Sequence, residues 1–226
     1  MKERTILVVI PVREEHRELF EEAAPGNRFV YSSIKEVSRE QVQEADIILG
    51  NVPADKIGAS KKLEWLQLNS AGADAYAGEG ILDKNTVVTT SNGAYGKTVS
   101  EHMFAMLLAM QKKLHLYRDS QNKHIWDEHG TVTSIADSTV LIFGMGDIGR
   151  HFAKMAHALG AYVIGVKKNP GNCPEYIDEP HLMKDCRELL PHADVVVSFL
   201  PSTSETRGLF NKEMFHLMKP GAFFLN

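Results

Sequence analysis

Cysteine is scarce: Cys173 and Cys186 are the only two among 226 residues. Two thiols make no disulfide framework, and their spacing matches neither a zinc knuckle nor a redox dithiol motif. They read as free thiols of a cytoplasmic protein. Excess positive charge is also missing, with 25 basic residues against 29 acidic ones and a formal charge of −4. A generic nucleic-acid binder needs surplus cations to neutralise phosphates, so no nucleic-acid partner is expected. Long hydrophobic runs are lacking too. The longest early one, residues 6–10, is too short for a signal-peptide core or a bilayer span. The 10 histidines form no H-E-x-x-H pattern, so no metal site is expected. What remains is ordinary globular usage, 43% hydrophobic and 24% charged, which excludes a disordered polyelectrolyte. The length suits one large domain or two modest ones.

Short apolar, β-rich runs recur along the chain. Residues 5–10 end at Pro11, and residues 28–31, 46–49, 65–68 and 87–90 follow as strands. Residues 13–22 and 41–45 read as helices between them. Met103 to Met110 is a run of eight apolar residues without glycine or proline. It predicts a helix over residues 99–117, buried nearly all round, serving as a core element, a subunit interface or both. A second alternation follows: strand 139–143, helix 150–159 stopped by Gly160, strand 162–166, helix 184–190 ended by Pro191, strand 194–200 and strand 222–225. Strands alternating with helices imply β-α-β units and parallel sheets. The change of pattern near residues 98–119 predicts two α/β domains with parallel sheets, residues 1–98 and residues 99–226.

Strand 139–143 runs into Gly144-Met145-Gly146-Asp147-Ile148-Gly149. A lone G-x-G-x-x-G is weak evidence, but here a strand precedes it, a helix follows, and the next strand arrives at the expected distance. Gly144 permits the tight turn, Gly146 lets backbone approach a pyrophosphate, and Gly149 lets helix and strand pack closely. The N–H groups at the helix start, at Asp147 and Ile148, face the phosphates. A methyltransferase loop is the alternative, but it carries G-x-G-x-G and an acid ending the next strand. Here that strand ends Val166-Lys167-Lys168-Asn169, with no acid between Gly165 and Pro174. Two ammonium groups suit a 2′-phosphate, which favours NADP(H) over NAD(H). Two solvated lysines without a role are the competing explanation.

Several ordered segments together resemble the D-isomer-specific 2-hydroxyacid dehydrogenases. They are Leu63-Glu64-Trp65-Leu66-Gln67-Leu68-Asn69-Ser70-Ala71-Gly72-Ala73-Asp74, Thr98-Val99-Ser100-Glu101-His102, the glycine loop, Leu200-Pro201-Ser202-Thr203-Ser204-Glu205-Thr206-Arg207-Gly208, and Met218-Lys219-Pro220-Gly221-Ala222 with Asn226. The resemblance implies a flavodoxin-like substrate domain over residues 1–98 and a dinucleotide-binding Rossmann domain over residues 99–226. It implies hydride transfer between NADP(H) or NAD(H) and a small 2-keto or 2-hydroxy acid. Backbone at Ala71 and Gly72 would hold the substrate carboxylate, with Tyr95 lining the cleft and Thr98 beside the cofactor. Leu200, Pro201 and Thr206 would flank the cofactor, Thr206 on its adenosine side. A homodimer through the 99–117 helix is expected.

The family's catalytic arginine, glutamate and histidine match no position here; the pattern places them beyond Asn226. Glu101 and His102 do not replace them, since adjacent helix residues do not face each other. The chain therefore reads as truncated at its C-terminus, its second sheet incomplete, and inactive by itself. A dinucleotide-binding or regulatory protein without turnover is the second reading.

Overall fold

A computed structural model describes residues 3–169 and 171–226. The chain divides into two compact units, Met1–Ala94 and Tyr95–Asn226.

The first unit holds β1 (Thr5–Val8), α1 (Glu14–Ala23), β2 (Arg28–Tyr31), α2 (Arg39–Glu44), β3 (Ile47–Leu49), α3 (Ala54–Ile57), β4 (Trp65–Gln67) and β5 (Val87–Thr89). Its strands are all parallel, in the order β2-β1-β3-β4-β5, the flavodoxin-like arrangement. Leu7, Ile48 and Leu66 come from adjacent strands and are fully buried in one core with Val42 of α2. Ser38 caps α2: its hydroxyl accepts from Gln41 N–H at 3.2 Å, while Gln41 Oε1 accepts from Ser38 N–H at 2.8 Å.

The second unit begins with α4 (Gly96–Gln111) and α5 (Leu114–Asn122). It continues through β6 (Thr139–Phe143), α6 (Asp147–Ala158), β7 (Tyr162–Lys167), β8 (Glu179–Leu182), α7 (Cys186–Leu189), β9 (Val195–Ser198), α8 (Lys212–Leu217) and β10 (Phe223–Leu225). The parallel order is β10-β9-β6-β7-β8. Counted within the unit this is 3-2-1-4-5 read from β8, the Rossmann order. Central β6 and β9 are buried along most of their length, which explains their near-continuous apolar sequence. Phe152 of α6 is fully buried between Phe104 (ring centroids 5.2 Å apart) and Phe199 (5.6 Å). The rings thus key α4 and the turn after β9 onto one helix.

Three expectations are corrected. The 99–117 helix is two helices, because Lys113 adopts the left-handed conformation (φ 55°) between α4 and α5. Nor is α4 buried all round: Phe104 and Leu107 face the core, whereas Met106 is 51% exposed. The helix expected over 184–190 is four α-helical residues, Cys186–Leu189, between 3-10 turns at Met183–Asp185 and Leu190–His192. Pro191 therefore sits inside a final turn rather than ending the helix. Strand β8 was not foreseen, since Pro180 lies within it; it is tolerated because β8 is an edge strand.

One device starts both sheets. Asp46, just before β3, accepts the Thr5 N–H of β1 at 2.8 Å. Asp194, just before β9, accepts the Thr139 N–H of β6 at 2.9 Å and holds Lys219 Nζ at 2.8 Å. Partial burial pushes the Asp194 carboxyl up, but the Lys219 hydrogen bond and charge and the Thr139 amide outweigh it and hold the group below its ordinary range. A depressed native pKa stabilises the fold above the unfolded value, near about 4, and that contribution is lost as pH falls through the native value. Urea midpoints measured against pH should therefore fall more steeply for the wild type than for Asp194→Asn below about pH 4. Parallel curves would count against this clamp.

Candidate dinucleotide site and substrate loop

The strand order of the second sheet reverses between β6 and β9, and the glycine motif leaves β6 at that point. Gly144 turns the chain at φ 93°, donating its N–H to Val166 O at 3.0 Å. A Cβ there would lie 2.9 Å from Phe199 O. At Gly149 a Cβ would lie only 2.0 Å from Gly144 O, so α6 crosses the strand end at backbone contact. Gly146 differs: its φ is an ordinary −77°, and nothing lies within 4 Å of a Cβ. It faces open space, as a position that a pyrophosphate approaches should.

Helix α6 runs for 12 residues, and its first ladder bond is from Arg150 N–H to Gly146 O at 3.1 Å. The N–H groups of Asp147, Ile148 and Gly149 therefore precede the ladder, at the positive end of the helix dipole. Arg150 Nε braces the loop by donating to Met145 O at 3.1 Å. The Asp147 carboxylate has neighbours on α6 and on α4. It lies 3.7 Å from His151 Nε2 and packs on Gly96, where a Cβ would be 2.3 Å from its Oδ2. The Asp147 side chain thus fills the space beside Gly96 at the first turn of α4. A cleft of about 570 Å³ opens here, faced by Gly146 and Asp147 and by Arg150, His151 and Lys154 of α6. Open glycine backbone, free N–H groups and basic side chains fit a dinucleotide pyrophosphate.

The neighbouring strand ends are also occupied by predicted residues. Leu200 follows β9 with its N atom 3.3 Å from a Cβ built on Gly144. Pro201 is exposed, and its carbonyl accepts from the Thr206 hydroxyl. The same hydroxyl oxygen accepts from Thr203 N–H at 2.9 Å, so Thr206 shapes its own loop. At the end of β7, Lys167 Nζ donates to the carbonyls of Gly171 and Asn172. Lys168 Nζ pairs with Glu205 at 2.7 Å. Tyr95 stands at the cap of α4, 40% exposed, and Thr98 is exposed on its first turn.

In the first unit, Ala71 and Gly72 are exposed on the loop after β4. Asn51 fixes that loop. Its Nδ2 donates to Ser70 Oγ at 2.9 Å, its Oδ1 accepts from Asn69 N–H at 3.0 Å, and Ser70 Oγ donates to Gly72 O at 2.7 Å. Sequence reading missed Asn51. The available signal was Gly50-Asn51 ending an apolar strand; Gly50 takes φ 119° there, with a built Cβ 2.6 Å from Val9. A depression of about 510 Å³ opens nearby, where β1 and β3 end. Among the described residues no group of three or more His, Cys, Asp or Glu is arranged to hold a metal. No helix among them is long and apolar enough to cross a membrane.

The fold and the glycine turn define a dinucleotide-binding α/β protein, and the comparisons narrow the class. The family model described as D-isomer specific 2-hydroxyacid dehydrogenase, NAD binding domain, matches residues 104–226. A crystal structure of a D-isomer specific 2-hydroxyacid dehydrogenase family protein from Aeromonas salmonicida is 30% identical, with a TM-score of 0.85. It aligns over 99% of this chain and 72% of its own. D-3-phosphoglycerate dehydrogenase of Mycobacterium bovis is 30% identical over 197 residues, 82% of this chain and 36% of that protein. Glycerate dehydrogenase of Methylorubrum extorquens is 27% identical over 201 residues, 83% of this chain and 60% of that protein. The chain thus spans between about a third and three fifths of these two curated relatives. It belongs to the D-isomer specific 2-hydroxyacid dehydrogenase family, a family of oxidoreductases with a nicotinamide dinucleotide-binding domain.

Substitutions at Gly149 and Gly146 should separate packing from binding. Gly149→Ala forces backbone apart and should lower unfolding free energy by about 1–3 kcal/mol. Gly146→Ala should change it by no more than about 0.5 kcal/mol, while weakening dinucleotide binding in equilibrium titration. Equal stability losses in both variants would contradict this geometry.

Proposed function

We propose that this chain carries the cofactor-holding and carboxylate-holding parts of an oxidoreductase that moves hydride between NADP(H) and a small 2-keto or 2-hydroxy acid. The observation that carries the reading is the backbone contact of Gly149 on Gly144, which sets the start of α6 at the end of β6. Gly144, Gly146 and Gly149, with the N–H groups of Asp147 and Ile148, hold the pyrophosphate. Thr98, Leu200, Pro201 and Thr206 flank the dinucleotide, and Lys168 addresses a 2′-phosphate, whereas Lys167, also expected there, is held on the Gly171 and Asn172 carbonyls. The bound nicotinamide supplies or accepts the hydride. The N–H groups of Ala71 and Gly72 hold the substrate carboxylate on a loop pinned by Asn51, and Tyr95 is assigned to substrate binding as well. We assign the unit Met1–Ala94 to the substrate side and the unit Tyr95–Asn226 to the dinucleotide side, four residues before the boundary expected at 98/99. A cytoplasmic location fits the two free cysteines.

Reduction of a keto acid also needs a proton donor and a cation near the developing alkoxide. No arginine, glutamate or histidine of this chain matches the family's catalytic positions. The 226-residue chain should therefore bind NADPH more tightly than NADH and leave glyoxylate and hydroxypyruvate unreduced. Titration of bound-nucleotide fluorescence and a steady-state absorbance assay check both halves. Tighter NADH binding would sink the NADP(H) preference, and turnover would sink the claim of inactivity.

We also propose a homodimer through the 99–117 region. Met106 on α4 and Leu114 on α5 are 51% and 55% exposed, and Tyr117 is 38% exposed. Exposed apolar side chains on helical surfaces fit an interaction face. Sedimentation should give a dimer for the wild type and a monomer for Met106→Glu. A monomeric wild type would refute the assignment.

A further inference from the structure

The end of β7 carries two lysines and no acid, yet the fold delivers an acid there from elsewhere. Glu205, 37 residues along the chain from Lys168, places its Oε2 2.7 Å from Lys168 Nζ. The turn that presents Glu205 is held internally. The Thr206 hydroxyl donates to the Pro201 carbonyl, Thr203 N–H donates to Thr206 Oγ1 at 2.9 Å, and Arg207 N–H donates to Thr203 O at 2.9 Å. Glu205 is thus presented on a shaped loop. Lys167 is turned the other way, onto the Gly171 and Asn172 carbonyls. Lys168 is therefore the ammonium whose partner decides the charge at this strand end.

We infer that Glu205 is a cofactor-discriminating residue, whose carboxylate competes with the 2′-phosphate of NADP(H) for the Lys168 ammonium. The inference rests on the dinucleotide reading above and sharpens it. With the pair closed, Glu205 supplies the acceptor for ribose hydroxyls that NAD sites ordinarily carry at the end of this strand. With the pair open, Lys168 faces the phosphate. Both side chains are largely exposed, at 72% and 69%, so exchanging one anion for another is cheap. The selectivity is accordingly modest and readily moved by one substitution.

The test is equilibrium binding of NADPH and NADH to the 226-residue chain, followed by fluorescence of the bound reduced nicotinamide. The variants are Glu205→Gln, Lys168→Gln and the double variant. Glu205→Gln should tighten NADPH about twofold to fivefold, the range of an exposed ion pair, and weaken NADH. Lys168→Gln should weaken NADPH, and in that background Glu205→Gln should no longer affect it. If Lys168→Gln weakens NADPH while Glu205→Gln alone changes neither cofactor, the inference is overturned and the phosphate role of Lys168 stands. If Lys168→Gln leaves NADPH unchanged, that role and the inference fall together.

Discussion

Backbone contact between Gly149 and the Gly144 carbonyl is the constraint on which the second unit turns. A Cβ at residue 149 would stand 2.0 Å from that oxygen, so only glycine lets α6 sit this close to β6. The contact decides where the free N–H groups of α6 lie, namely at the strand end where the strand order reverses. Phe152, one turn further on, is then buried against Phe104 and Phe199. The binding end of the helix and its packing end are thus set by one approach. Removing the glycine would disturb both, whereas Gly146 faces open space.

The opposite ends of the sheets follow their own rule. In each unit an aspartate just before a strand accepts the first N–H of the neighbouring strand, Asp46 for Thr5 and Asp194 for Thr139. Each carboxylate has a lysine within reach, Lys62 at 3.7 Å and Lys219 at 2.8 Å. These bonds close the amino ends of the strands. The carboxyl ends are left to loops, and those loops carry the glycine motif in one unit and Ala71-Gly72 in the other. Division of labour between the two ends is what lets loop residues change chemistry without disturbing strand register.

Much of this was legible in the linear chain. Apolar runs of four to seven residues bounded by glycine, proline or charge located nine of the ten strands among the described residues, because a strand covered on both faces must be apolar throughout. Proline concealed β8, since edge position is a property of the sheet and leaves no mark on the strand itself. The apolar stretch 103–110 announced a helix but misjudged its surroundings: composition reports how apolar a helix is, not whether a neighbour covers each face. The break at Lys113 was invisible because a lysine in the left-handed region carries no sequence signature. Asn51 escaped notice because its partners, Asn69 and Ser70, lie beyond the next strand, 18 and 19 residues along.

Composition, periodicity and the spacing of Gly144, Gly146 and Gly149 by themselves determined the α/β class, the parallel sheets and the dinucleotide turn. These features are local, since a tight turn and a buried strand each constrain the residues that form them. Tertiary structure alone decided which charges meet. Nothing near Lys168 in sequence supplies an acid, and the Rossmann order sets the loop after β9 two strands away from β7, with β6 between them. Glu205 still reaches across to neutralise the lysine at 2.7 Å. Electrostatic partners depend on distance in space, which the order of residues along the chain does not encode.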